Sequence, residues 1–255
     1  MRISGNLSHS ASRRLSRLHV NFPLSAHSEI SADEAVAHYV RDVLRLRKGD
    51  AVCLFDGQGG EYEGLVLEVS RHSVRLDVGV RRERDSESPL HTELGLGISR
   101  GERMDYAVQK AVELGASRIV PLSTEHAVVR LSGDKRAQRR LHWQKIAIAA
   151  CEQSGRCRVP EIAEPMDLSV WLAQQSGLRL YCDPRAAQGL LQLAPPGDQR
   201  VTLLSGPEGG FSGDERSLAQ GSGFLPVKLG PRVLRTETAA LTILAAVQML
   251  WGDLG

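Results

Sequence analysis

Residues 201–211 read VTLLSGPEGGF, an unbroken apolar and β-branched run that passes straight into a loop holding Gly206, Gly209 and Gly210. Such a run predicts a buried strand ending in a ligand loop, because glycine reaches positive φ and lets another molecule approach the main chain closely. Pro207 fixes one φ and stiffens the turn. Downstream, residues 229–239 (LGPRVLRTETA) read as a second loop of the same kind, opening directly into an apolar helix over residues 238–251. Two backbone-rich loops can grip one small ligand between them.

Outward from these loops, strand patterns at residues 92–98 and 118–122 alternate with helical patterns at residues 104–114 and 141–154. Repeated βα units predict a mainly parallel sheet flanked by helices, with ligands held beyond the carboxyl ends of the strands. The last helix is apolar around most of its circumference, which predicts burial on several sides, a subunit interface being one way to provide it. Nearer the N-terminus, short β-like runs at residues 51–55, 64–69 and 73–78 are separated by turns such as DGQGG at residues 56–60, and a helix over residues 32–46 precedes them. This pattern predicts a small β-barrel with one helix. The charged, non-periodic RRERDSESP at residues 81–89 marks the break, which places domains at residues 14–83 and 91–255 with a linker over 84–90. Residues 1–13, serine-rich and without apolar period, are expected to be a disordered extension.

A chain of 255 residues with 42% hydrophobic and 24% charged residues has the composition of an ordinary globular protein with a sizeable core. Its formal charge of +2 does not announce nucleic-acid binding, so that case must rest on how the basic residues are distributed. Cys53, Cys151, Cys157 and Cys182 show neither C-x-x-C spacing nor a matching histidine pair, and the eight histidines show no H-x-x-x-H or H-E-x-x-H spacing. No metal site is therefore expected, and reduced thiols in a cytoplasmic protein are the simpler reading. No apolar run approaches the roughly 18 residues that a membrane helix needs, so no membrane association is expected.

The strings LLSGPEGGFSGDE (residues 203–215) and LGPRVLRTETAAL (229–241) resemble the signature of the small-subunit ribosomal RNA uridine-N3 methyltransferases, members of the SPOUT superfamily. SRGERMDYAVQKAVELGASRIVPL (99–122) and WQKIAIAACEQSGRCRVPEI (143–162) resemble the same family, so the likeness runs through nearly the whole chain from Arg14 onward. It implies a C-terminal α/β methyltransferase domain knotted as a trefoil, an exception to the rule that chains avoid knots, with a smaller PUA-like RNA-binding β-barrel before it. It further implies S-adenosylmethionine as cofactor, small-subunit ribosomal RNA in an assembled or nearly assembled subunit as partner, and action as a homodimer. Carried onto this sequence, the cofactor residues are Leu204, Ser205, Gly206, Pro207, Glu208, Gly209 and Gly210 in the first loop, and Leu229, Gly230, Val233, Leu234, Thr236 and Ala239 in the second.

Methyl transfer from a sulfonium to nitrogen is an in-line displacement, so a protein contributes by positioning the reactants and stabilising charge on the acceptor. Uridine N3 must lose its proton, and the resulting anion spreads over two carbonyl oxygens. Arg235 is the candidate cation, with an always-charged fork just ahead of the last helix. Glu208 and Glu237 are the candidate carboxylates, either accepting the proton or holding Arg235. RNA contacts are expected from Arg14, Arg17, Arg130, Arg136, Arg140, Gln153 and Arg156, in two basic stretches that the overall charge conceals.

Each of these signals also has a plainer reading. A Gly-Pro-Glu-Gly-Gly loop can be only a tight turn, Thr236 or Thr238 an N-cap, Gly155 a helix C-cap with Arg156 just beyond, and a charge run a solvated face. A non-catalytic RNA-binding module would have no reason for two glycine loops at strand ends. A nucleotide hydrolase would need G-x-x-x-x-G-K-[ST], which is absent. The acceptor atom rests on the resemblance alone, since a ribose hydroxyl or another base position suits the same physical features.

Overall fold

The computed structural model describes residues 15–84, 86–127 and 133–255. Arg14 and Arg130, and the extension expected over residues 1–13, lie outside the described residues. The chain divides into two compact units, Met1–Asp85 and Ser86–Gly255.

In the first unit, strands β1 (Ser16–His19) and β2 (Ser28–Ala32) lead into helix α1 (Glu34–His38), which relaxes into a π-helical turn over Tyr39–Val43. Strands β3 (Ala51–Phe55), β4 (Glu61–Val69) and β5 (Val74–Arg82) follow. They form a mixed sheet in the order β1-β3-β4-β5-β2, in which only β1 and β3 run parallel. The period-two pattern expected of a strand with one buried face is clear in β5, where Val74, Leu76 and Val78 are buried and Arg75 faces solvent. The side chain of Asp33 caps α1 by accepting from the Val36 amide at 3.1 Å. Ala37 and Val40 then pack into the same core as Leu18, Leu54 and Leu76. β5 continues through Arg81 and Arg82, which pair with Tyr62 and Glu61, so the charged segment begins as strand rather than as connection.

The second unit opens with β6 (His91–Gly97), α2 (Glu102–Glu113), β7 (Arg118–Ser123) and α3 (Asp134–Ser154). The two-residue strands β8 (Glu161–Ile162) and β9 (Met166–Asp167), helix α4 (Leu168–Leu172) and strand β10 (Leu178–Cys182) come next. β11 (Arg200–Ser205), α5 (Gly213–Gly221), β12 (Leu225–Val227) and α6 (Thr236–Trp251) complete it. The sheet runs β12-β10-β11-β6-β7-β8 with β9 beside β7, and every pair is parallel. β11 lies inside it, and Val201, Leu203 and Leu204 are buried without alternation, as a strand covered on both faces requires.

Two helices differ from expectation. α3 starts at Asp134, well before residue 141, because its first turns (DKRAQRR) are polar on every side and carry no apolar period. Its end was legible: Gly155, at φ 90°, terminates it in the left-handed conformation. The chain itself buries one face of α6, along Ala240, Ile243, Leu244, Val247 and Gln248, rather than several. Met249 and Leu250 stay 57% and 41% exposed. Among the described residues no helix is long and apolar enough to cross a membrane.

Candidate active site

The carboxyl ends of β10, β11 and β12 converge on one cavity of about 530 Å3. Its first wall is the loop after β11. There Gly210 takes φ 67° and its amide closes the turn onto the Pro207 carbonyl at 2.8 Å. A Cβ on Gly97, at the end of β6, would stand 2.7 Å from the Gly206 carbonyl carbon, so strand and loop touch backbone to backbone. Ser212 and Glu215 then form a capping box that starts α5 and fixes the exit of the loop.

The second wall is the loop from Leu229 to Arg235, which turns at Gly230 (φ 80°) and ends with Arg235 as the N-cap residue of α6. Ser205 Oγ donates to the Thr236 carbonyl at 3.3 Å and joins the two walls. The third wall was not foreseen. It is the end of β10, Cys182 to Arg185, tied to β12 by the Asp183 amide donating to the Val227 carbonyl at 3.0 Å. The apolar run of β10 closing on Asp183-Pro184 was the available signal for a strand end at a site. Burial pushes the Cys182 thiol up to about 12, so it stays protonated and poorly nucleophilic beside the cavity.

Of the residues expected at the cofactor, Ser205 to Gly210, Leu229, Gly230, Val233, Leu234, Thr236 and Ala239 all line this cavity. Leu204 does not; it is fully buried in the core beneath it, packed with Trp171 and Tyr181. Gly209 serves a packing role as well, since a Cβ there would meet the His126 Cβ at 2.7 Å.

Glu208, Arg235 and Glu237 line the same cavity. Glu208 Oε1 accepts from the Arg100 amide at 3.2 Å and from Arg103 Nη1 at 3.3 Å. Its Oε2 is buried without a hydrogen-bond partner among the described residues, and so is Glu237 Oε2. The Arg235 side chain is exposed and has no hydrogen bond or ion pair among the described residues, so neither carboxylate holds it. Arg103, on the first turn of α2, is a cavity residue that sequence reasoning passed over.

The residues expected to touch RNA separate into two groups. Gln153 is exposed, Arg136 is half-buried, and Lys135, Arg139, Lys145 and Arg158 add exposed basic side chains around α3. Arg17 and Arg156 turn inward instead. The Arg156 side chain is 7% exposed; it donates to Glu87 Oε2 through Nε at 3.0 Å and Nη2 at 2.5 Å. Its Nη1 reaches the carbonyls of Val112 and Ala116, so it ties the end of α2 to the start of this unit. Arg17 pairs with Glu61, donates to Cys53 Sγ at 3.2 Å and lies over the Phe55 ring at 4.8 Å. Arg140 is half-committed, its Nε donating to the Ile162 carbonyl at 2.9 Å. A sequence counts charges but does not show which of them already have buried partners.

The descriptions of an RNA methyltransferase domain and of an RNA methyltransferase PUA domain match residues 86–248 and 32–79. The chain is 34% identical over 244 residues to the ribosomal RNA small subunit methyltransferase E of Buchnera aphidicola from Schizaphis graminum, covering 95% of this chain and 99% of that one. The crystal structure of the Neisseria gonorrhoeae ribosomal RNA small subunit methyltransferase E bound to S-adenosylmethionine is similar with a TM-score of 0.88 and 34% identity, covering 94% of this chain and 100% of that one. A Legionella pneumophila structure in complex with the same bound cofactor is similar with a TM-score of 0.91 and 37% identity, covering 94% and 100%.

Proposed function

The chain belongs to the RNA methyltransferase family, and from that premise we propose that it transfers the methyl group of S-adenosylmethionine to N3 of a uridine in small-subunit ribosomal RNA. The observation that carries the proposal is a pair of bonded glycine loops enclosing a cavity lined by Glu208 and Glu237, each of which has one buried oxygen without a hydrogen-bond partner among the described residues. A buried acceptor left unmade is costly, which suits these carboxylates to a ligand that brings donors or cations. The cofactor fits this demand. It brings sulfonium and ammonium cations and ribose hydroxyls to the carboxylates, and an adenine whose edge can be read by loop backbone, in a volume typical of small-molecule sites.

When bound, S-adenosylmethionine supplies an electrophilic methyl group. The chain's own residues do the rest. The loops at Gly206 to Gly210 and Leu229 to Leu234 orient the cofactor through their backbone. Arg235 donates to a carbonyl oxygen of the base and stabilises the anion that forms when N3 loses its proton. Glu208 and Glu237 present the two acceptor oxygens, one for the N3 proton and one for the cofactor's cationic groups. Glu208→Gln and Glu237→Gln sort them in calorimetric titrations and rate measurements: the variant that loses cofactor affinity identifies the cation holder, and the one that loses turnover at full cofactor occupancy identifies the proton acceptor. If both variants keep wild-type affinity and turnover, the carboxylate roles are wrong.

We place RNA recognition on the PUA unit, over residues 14–83, and on the exposed basic residues around α3, together with Arg14 and Arg130, and we place the enzyme in the cytoplasm. The uncovered Met249 and Leu250 on α6 support a homodimer formed through that helix. The substrate we favour is the assembled or nearly assembled subunit.

A further inference from the structure

Five arginines line the cavity, Arg103, Arg185, Arg216, Arg232 and Arg235, against three carboxylates, Asp183, Glu208 and Glu237. This excess is the wrong sign for the cofactor alone, which carries net positive charge and has only its carboxylate to offer a cation. Three of the arginines are already engaged. Arg103 donates to Glu208, Arg216 to the Phe211 carbonyl, and Arg185 pairs with Asp183 at 3.5 Å. The side chains of Arg232 and Arg235 have no hydrogen bond or ion pair among the described residues, and both residues are exposed on the same loop. One cation suffices for the anion on the base, so the other is available for a second anion.

We propose that Arg232 binds the phosphodiester flanking the target nucleotide, an inference that rests on the RNA-methylating reading above. Arg232 and Arg235 stand three residues apart, so their Cα atoms are at most about 11 Å from one another and their side chains can reach a base edge and that nucleotide's own phosphate together. Pro231 fixes φ immediately before Arg232. Val233 beside it is left 83% exposed, an apolar surface placed to lie against a ribose. The loop therefore offers, in sequence order, a cation for the backbone, an apolar side chain for the sugar and a cation for the base. Arg232 selects a nucleotide that is part of a polynucleotide over a free nucleoside.

The test compares Arg232→Ala and Arg232→Lys with the wild type on small ribosomal subunits that lack the methyl group. Arg232→Ala is expected to raise KM for the subunit roughly three- to fivefold, the worth of one exposed ion pair. It should also make the salt dependence of binding shallower by about 0.7 in the log–log slope. Arg232→Lys keeps the charge and should restore the slope. The dissociation constant for S-adenosylmethionine should not move. An unchanged slope and KM overturn the inference, and so does a loss confined to cofactor affinity, which would assign Arg232 to the cofactor's carboxylate. If the wild type itself methylates no small-subunit RNA, the reading beneath the inference fails, and that failure is visible without either variant.

Discussion

Arg235 is positioned by its backbone rather than by its side chain: it is the N-cap residue of α6, in extended conformation, and its carbonyl accepts from the Ala239 amide at 2.8 Å. A guanidinium fixed at its root and unpaired at its tip can meet a charge that develops only during reaction, so its loss should act on turnover. Arg235→Ala should lower kcat by about 100- to 1,000-fold while shifting the cofactor dissociation constant little, measured by single-turnover kinetics beside calorimetry. A shift confined to the dissociation constant would remove Arg235 from the chemistry. Arg156 invites the opposite expectation. Its removal takes the guanidinium partner from the half-buried Glu87 and a side-chain donor from the Val112 and Ala116 carbonyls, so Arg156→Ala should destabilise the chain by about 3 kcal/mol in chemical unfolding, with no specific change in the salt slope of RNA binding. Both arginines were noticed in the sequence. What the sequence lacked was the distant partner, Glu87, that turns one of them inward.

At the scale of elements, β11 and the two loops were legible because a strand buried on both faces is written as an apolar run and the turn that follows it as glycine. β8 and β9 are two residues each and leave no periodic trace, and the polar first half of α3 lacks the apolar stripe by which helices are recognised. β1, β3 and β4 of the first unit carry an acid-sensitive cluster of Arg17, His19, Cys53 and Glu61. Burial alone would push the Glu61 carboxyl up, but hydrogen bonds from Arg17 and Cys53 outweigh it and hold it below the usual carboxylate range. Burial, opposed only in part by Asp56, holds the His19 imidazole below its usual value. Both folded-state values are depressed, so both contributions are complete above the unfolded values and are lost as pH falls. His19 acts first, below about pH 6.5, and Glu61 below about pH 4.3. Trp143, Trp171 and Trp251 all belong to the second unit. Circular dichroism should therefore report an acid transition that tryptophan fluorescence does not follow, and His19→Gln should remove its first stage. Coincident transitions in the wild type would place the weak point elsewhere.

For the whole molecule, the division at Asp85 and Ser86 assigns the cavity wholly to the second unit. A fragment comprising Ser86–Gly255 should bind S-adenosylmethionine with the affinity of the full chain, yet bind ribosomal RNA more weakly and with a shallower salt slope, since the cations of the first unit are gone. Full RNA affinity in that fragment would deny the PUA unit a part in recognition. The central claim is the identity of the reaction, and the most direct measurement is to locate the methyl group. Small ribosomal subunits lacking the modification, incubated with the protein and methyl-labelled S-adenosylmethionine, should yield a single labelled nucleoside, 3-methyluridine, when the RNA is digested and read by mass spectrometry. Label on a ribose hydroxyl or on another base, or no label in the RNA, would contradict the account.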